Sequence, residues 1–174
     1  MGDKTQLLAL LLAARFRAPR PIILGILVAT LLNHALAAAL GAWLTQVLEP
    51  QWLRWGLGAS FIAVALWMLV PDQAGDAAAG AERSRFGVFG ITVIAFFLAE
   101  MGDKTQIATV MLAARYNALI VVTAGTTLGM MIANVPAVLL GDQAVKFVPI
   151  AWVRRIAAAV FAAIGVAVLA GVGS

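Results

Sequence analysis

Residues 100–106, EMGDKTQ, place two acids and a lysine inside an otherwise apolar stretch of the chain. If this segment is helical, Glu100, Asp103 and Lys104 fall at positions i, i+3 and i+4 and share one face. A carboxylate at the centre of a bilayer costs at least ~2.5–3.5 kcal/mol, and such residues usually mark an ion or proton path. Oxygen donors of this kind suit magnesium, calcium or manganese. The cluster therefore predicts a site for a divalent cation or for exchangeable protons.

Almost the same letters, MGDKTQ, open the chain at residues 1–6. A shift of 100 residues overlays MGDKTQLLALLLAARF on MGDKTQIATVMLAARY with ten of sixteen positions identical, and the register continues without a gap across three predicted helices. Asp3 therefore joins Glu100 and Asp103 as a candidate metal ligand. The side chains that could support the same cavity come from both copies of the motif and from one polar repeat pair: Lys4, Lys104, Thr5, Thr105, Gln6, Gln106, His34 and Asn134.

Three of these supporting residues also have ordinary structural explanations. A single histidine such as His34 is more often a packing or hydrogen-bonding residue than a ligand, and Asn134 next to Pro136 could mark a helix kink. Because His34 and Asn134 are repeat mates, a polar pair lining one cavity is the alternative. Lys104 could neutralise Asp103 and simply pin helices together. In the second motif, however, two acids against one lysine leave a surplus negative charge, which suits a cation.

The composition indicates that a membrane holds these residues. The chain has 174 residues, of which 63% are hydrophobic and 11% charged, whereas soluble domains carry ~25% charged residues. A bilayer-spanning helix needs ~20 apolar residues. Between the second and third apolar runs, a turn is predicted at 49–54. The apolar runs predict six spans, at 1–16, 21–48, 55–70, 86–116, 117–141 and 152–173.

Other classes of protein are disfavoured by the residue types present. The net charge of +4 is expected to reflect basic cytoplasmic loops rather than nucleic-acid binding. The chain contains no cysteine, which excludes disulfides and thiolate metal sites. No nucleophile–base set or cofactor motif is present, so neither an enzyme nor a resident cofactor is expected.

Three spans per copy determine how the two copies are related. After an odd number of crossings, the second copy enters the membrane from the opposite side. Residues 1–70 and 86–174 are therefore predicted to form two inverted three-helix repeats, joined by the hydrophilic loop 71–85. Lysine and arginine favour the loops after the first, third and fifth spans by eight to two, and the two on the opposite side are Arg54 and Arg115. This bias predicts that those loops are cytoplasmic and that both termini are extracytoplasmic.

The first copy lacks the glutamate that would precede Met1. The matching stretch of the second copy, FGVFGITVIAFFLAE, is fifteen residues long. We therefore expect the first helix to be truncated at its N-terminal end. The natural chain is expected to begin about fifteen or more residues upstream, with a glutamate just before Met1.

The motif E-x-G-D-K-[ST], doubled in a six-helix protein, resembles the signature of the calcium/cation antiporter family 2. These are the Golgi manganese/calcium–proton exchangers and their chloroplast and bacterial manganese-exporter relatives. The resemblance covers essentially the whole chain. It implies an all-α, multi-pass protein of the bacterial inner membrane that exports manganese, or calcium, in exchange for protons. It also implies that Glu100, Asp103 and Asp3 bind the transported ion.

Two other functions are compatible with the composition. A six-helix exporter of a small organic solute such as an amino acid would share the inverted architecture, but it leaves the doubled acidic motif unexplained. A structural or assembly protein of the membrane would tolerate neutralisation of Glu100. For the transporter, the expected partners are a divalent cation, protons and the lipid bilayer, and the sequence leaves the oligomeric state open.

Overall fold

The computed structural model describes residues 3–70, 87–140 and 150–171. The predicted all-α fold is confirmed over these ranges, which contain no β-strand. The predicted loop 71–85 and most of the predicted loop 142–151 lie outside the described residues. The seven helices of the described ranges are α1 (Asp3–Phe16), α2 (Pro19–Val47), α3 (Pro50–Met68), α4 (Gly87–Glu100), α5 (Lys104–Tyr116), α6 (Leu119–Leu140) and α7 (Ile150–Leu169).

The backbone repeats at the same 100-residue spacing as the sequence. Arg17 follows α1 and Asn117 follows α5, and both adopt left-handed backbone, with φ of 49° and 48°. The Arg17 N–H donates to the carbonyl of Ala13 at 2.9 Å, and the Asn117 N–H donates to that of Ala113 at 2.8 Å. A left-handed residue that closes the last turn is a common way to end a helix. The two copies therefore share local backbone structure as well as residue types.

Two of the described helices are long and apolar enough to cross a membrane by themselves. These are α2, with 29 residues, and α6, with 22 residues. At 1.5 Å per residue they reach ~43 and ~33 Å, against a hydrocarbon core of ~30 Å. The other predicted spans correspond to helices that are shorter or less apolar. That these helices also cross the membrane therefore stays a prediction.

α4 and α5 together follow α2 along its length. A Cβ on Gly25 of α2 would lie 2.7 Å from the Cβ of Thr92 in α4, and a Cβ on Gly41 would overlap the carbonyl oxygen of Val110 in α5. Small residues at these crossings let the helix backbones approach closely. The earlier residue of α2 meets α4 and the later residue meets α5, which follows α4 in the chain, so α4 and α5 run parallel to α2. The predicted span 86–116 is divided into these two helices at residues 101–103, where the chain leaves helical geometry.

α3 and α7 pack against each other in opposite directions. A Cβ on Gly58, in the middle of α3, would contact Leu169 at the end of α7. Midway along the contact, the ring centroids of Phe61 and Phe161 lie 5.7 Å apart. These two phenylalanines are repeat mates. Equivalent helices of the two copies therefore meet at equivalent positions and run antiparallel.

The predicted turn at 49–54 is wrong, because α3 already begins at Pro50, with Glu49 as its N-cap residue. Proline suits the first position of a helix, where its missing N–H needs no partner and its fixed φ matches the helix. The same effect places the start of α2 at Pro19, two residues before the predicted start at Pro21.

Two larger apolar clusters hold the helices together, and a small one of Ala38, Ala113 and Val122 joins α2, α5 and α6. One joins α1, α2, α4 and α6, and the other joins α3, α5 and α7. The first cluster contains Leu8, Leu12, Ile22, Ile26 and Phe96, and the second contains Phe61, Met68, Met111 and Phe161. Buried polar residues of α2, α4 and α6, among them His34, Glu100 and Asn134, lie on the helices of the first cluster.

Candidate cation site

The acidic motif of the second copy lies at a break between two helices. Glu100 is the last residue of α4, Lys104 is the first of α5, and Asp103 is the N-cap residue of α5. Gly102 adopts φ +73° in the break, a conformation that costs other residues about 1–2 kcal/mol. The prediction that Glu100, Asp103 and Lys104 share one face of a single helix is therefore wrong, because the glycine divides them between two helices.

Side chains of the motif support the broken backbone. The N–H of Gly102 donates to Oε1 of Gln106 at 2.7 Å, and the hydroxyl of Thr105 donates to Oδ2 of Asp103 at 3.0 Å. The amino end of α5 also carries the partial positive charge of the helix dipole, which favours a carboxylate at Asp103. Thr105 and Gln106, predicted as supporting cavity residues, thus hold the start of α5 in place.

Glu100 and His34 face each other inside the helix bundle. Their side chains are 1% and 0% exposed, and His34 Nε2 lies 4.0 Å from Glu100 Oε1. Within the described ranges, neither carboxylate oxygen and neither ring nitrogen has a hydrogen-bond partner. Buried polar groups in proteins are nearly always bonded, and burial without a partner is costly. These four atoms are therefore positioned to interact with a ligand.

The first copy of the motif reaches the second through Lys4. Its Nζ donates to the carbonyl of Ala99 at 3.3 Å, in the last turn of α4. Ala99 directly precedes Glu100, so this contact holds the Lys4 ammonium at the turn that carries Glu100, and Asp103 follows Glu100 by three residues. The structure thus brings Lys4, Asp103 and Glu100 together. Asp3 is the first residue of α1, and its side chain lies outside the described residues.

Gln6 extends the contacts of the first copy to α6. Its Nε2 donates to the carbonyl of Ala133 at 3.2 Å. Pro136 lies inside α6, and a proline within a helix removes one backbone hydrogen bond and bends the helix. Gln6 therefore contacts α6 in the turn that the proline disturbs, one residue before the buried Asn134.

Lys104 points to α3. Its Nζ donates to the carbonyl of Val70 at 2.8 Å and lies 5.4 Å from the ring centroid of Trp67. Val70 lies just beyond the carboxyl end of α3, as Ala99 lies at the carboxyl end of α4. A helix dipole favours a cation at that end. The two lysines are thus bound in similar surroundings, but on different helices.

Sequence reasoning named the buried Asn134 and Thr5 but missed the buried polar residues Asn33, Thr30, Thr123 and Thr127 of α2 and α6. Asn33 donates to the carbonyl of Phe97 at 3.1 Å, and Asn134 donates to that of Met130 at 2.9 Å. Both bonds are donated by the amide nitrogen, and the amide oxygen of each asparagine has no partner in the described ranges. A spacing of three or four residues along α2 and α6 was the signal that could have identified one polar face. The buried hydroxyls that likewise lack a described partner are those of Thr5, Thr30, Thr123 and Thr127.

The donor types in this region fit a divalent cation. They are a carboxylate, an imidazole, amide oxygens and hydroxyls, which together suit a hard or borderline metal ion. Among the side chains that the structure describes, no three histidine, aspartate or glutamate residues are grouped closely enough to hold a metal ion. The described part of the predicted acidic site therefore rests on Glu100 with Asp103 nearby, and on His34 as its close neighbour.

Comparison with known proteins returns a family and a relative. The family model described as "Divalent cation/proton antiporter GDT1" matches residues 1–76 and 88–173, and thus spans both copies of the motif. A protein of Vibrio cholerae serotype O1, named "Putative manganese exporter", is 50% identical over 162 residues. That alignment covers 92% of this chain and 80% of the relative. No solved structure matches the chain.

Proposed function

Because the chain belongs to the GDT1 family of divalent cation/proton antiporters, we propose that it exports manganese, with calcium as the second candidate, in exchange for protons. Family membership makes the protein a membrane transporter rather than an enzyme, and its substrates are cations and protons. The name of the Vibrio cholerae relative favours manganese. An exporter of an organic solute would leave the doubled acidic motif without a role.

The burial of Glu100 at the break between α4 and α5 is the observation that carries this proposal. Its two carboxylate oxygens have no partner within the described ranges, although the side chain is almost completely buried. Discontinuous helices of this kind form the ion sites of many secondary transporters. In the proposed site, Glu100 binds the cation, and Asp103 and Asp3 are its further acidic ligands.

The exchange of metal for protons follows from competition at these oxygens. Metal binding to a carboxylate requires the deprotonated form, so binding releases protons. A site that holds either the cation or protons, and that opens to each side of the membrane in turn, couples the two flows without a second proton path. We place this site halfway along α2, at the level of His34.

We further propose that the two copies are inverted in the membrane of a bacterial cell, with both termini outside the cytoplasm. The antiparallel packing of α3 and α7 supports inversion. Arg54 and Arg115, the two arginines predicted on the extracytoplasmic side, line one pocket of about 210 Å³ together with Val168. That pocket lies where α3 begins and where α5 and α7 end, which is the arrangement that alternating spans require.

Reporter fusions test this orientation. A reporter after Ser174 is expected to be active outside the cytoplasm, and one inserted in the loop 71–85 is expected to be active in the cytoplasm. The opposite pattern would reverse the orientation. Two reporters active on the same side would rule out an odd number of spans between them.

A transport assay tests the proposed site. The protein is reconstituted in liposomes that contain a pH-sensitive dye, and a manganese or calcium gradient is applied. We expect manganese movement with a counterflow of protons. Glu100→Gln keeps the shape of the side chain but removes its charge, and should abolish both flows. Glu49→Gln, an exposed position before α3, is the matched control. Manganese movement without protons, or normal transport by Glu100→Gln, contradicts the proposal.

A further inference from the structure

The imidazole of His34 stands out among the buried polar groups around Glu100. It belongs to the single histidine of a chain without cysteine, so it is the one side chain of the sequence that could offer a neutral nitrogen ligand of the kind transition metals prefer. It lies on the buried face of α2 with Thr30 and Asn33, halfway along the helix. Neither ring nitrogen has a hydrogen-bond partner in the described ranges.

We propose that His34 is a direct ligand of the transported cation and that this nitrogen makes the site select manganese over calcium. The inference rests on the proposed function, in which Glu100 binds the cation. Calcium sites in proteins are built from oxygen ligands, whereas imidazole is a good ligand for first-row transition metals. Replacing one oxygen by a nitrogen therefore shifts the preference of a site from calcium towards manganese.

The geometry fits two ligands of one ion better than a direct pair. His34 Nε2 and Glu100 Oε1 are 4.0 Å apart, which is too long for a hydrogen bond. Two atoms that bind one cation with bonds of ~2.1–2.4 Å lie roughly 3–4.5 Å apart. A cation between these two atoms would satisfy both of them.

A purely electrostatic role for His34 gives a different expectation. A protonated His34 would act as a counter-charge to Glu100, and its loss would change the binding of manganese and of calcium by similar factors. A neutral nitrogen ligand affects mainly the metal that accepts nitrogen. The ratio of the two affinities therefore separates the two roles.

The repeat supplies a conservative substitution for this test. Asn134 occupies the position equivalent to His34 in the second copy and is likewise fully buried on its helix. An asparagine at this point of the repeat is thus compatible with the fold. His34→Asn exchanges a nitrogen donor for an amide oxygen at little cost in volume.

Two measurements on the reconstituted protein test the inference. The first compares KM for Mn²⁺ and Ca²⁺ uptake in the wild type and in His34→Asn. We expect KM for manganese to rise about tenfold or more, and KM for calcium to change by less than about threefold. Equal changes for both metals would overturn the inference. Glu49→Gln, at the exposed position before α3, is the control, since it alters no buried donor and should leave both KM values unchanged.

The second measurement does not require a variant to fold. Pulsed electron paramagnetic resonance of Mn²⁺ bound to the wild-type protein should detect a directly coordinated ¹⁴N nucleus. Absence of that coupling would refute ligation by His34. If Glu100→Gln also transports normally, the proposed site itself has failed. If Glu100→Gln is inactive while the nitrogen coupling is absent, only the role of His34 is wrong.

Discussion

Replacing Gly102 by alanine tests whether transport needs the broken helix. Gly102 has φ +73°, and a Cβ at this position would meet no atom within 4 Å. The substitution is therefore penalised by backbone conformation alone, without a steric clash. The hydrogen bond from its N–H to Gln106 can be kept by any residue. Gly102→Ala thus changes the preference of the backbone and little else.

The size of the effect follows from the backbone preference at this one residue. Glycine adopts left-handed and right-handed backbone about equally well, whereas an L-residue in left-handed backbone costs about 1–2 kcal/mol. The substitution therefore shifts the balance from the broken to the continuous helix by about 1–2 kcal/mol. This corresponds to a factor of roughly 5 to 30 in the equilibrium. Asparagine tolerates left-handed backbone better, so Gly102→Asn should lie between glycine and alanine.

Manganese–proton exchange in liposomes gives the readout. We expect activity to decrease in the order glycine, asparagine, alanine, while thermal unfolding in detergent changes by only a few degrees. Gly125→Ala is the matched control, because Gly125 lies within α6 with ordinary helical backbone and also has free space for a Cβ. That variant should transport normally. Wild-type transport by Gly102→Ala would refute the view that the break is required.

Two further predictions concern helix contact and charge. Gly41→Ala would place a Cβ on the backbone carbonyl of Val110. Since neither backbone can rotate away, thermal unfolding should show that the free energy of unfolding falls by about 1–3 kcal/mol. Gly56→Ala, where a Cβ would meet no atom within 4 Å, should show no such loss of stability. Lys4→Gln removes the positive charge beside Glu100 but keeps an amide N–H that can donate to the carbonyl of Ala99, so titration should show several-fold tighter Mn²⁺ binding, by about 1 kcal/mol, together with slower turnover. Weaker binding in this variant would contradict the placement of Lys4.

Hydrophobic pattern and spacing predicted most of the fold. The second and fifth spans were predicted at 21–48 and 117–141, and the helices run from Pro19 to Val47 and from Leu119 to Leu140. The errors arose where a single residue determines whether a helix begins, continues or ends. A proline can end a helix or begin one, and only the backbone around Pro50 shows that it begins α3. A glycine inside an apolar run is compatible with a helix, and only its φ reveals a break at Gly102.

The candidate site was harder to predict because identical residues of the two copies make different contacts. Gln6 donates to the carbonyl of Ala133 on another helix, whereas Gln106 accepts a bond from Gly102 in its own turn. The sequence repeat established that these glutamines occupy equivalent helices. It carried no information about which neighbour each glutamine would meet, because that depends on how the other helices pack around it.

The break in the second copy explains why the first copy contributes a lysine. In a continuous helix, the carbonyl of Ala99 would accept the N–H of Asp103, but that N–H bonds instead to the carbonyl of Glu100 at 3.1 Å. An unpaired carbonyl inside a membrane protein is costly unless another group satisfies it. Nζ of Lys4 donates to the freed carbonyl at 3.3 Å and at the same time places a positive charge near Glu100. Each copy of the motif therefore depends on the other: the second supplies the buried carboxylate and the open backbone, and the first supplies the donor that stabilises both.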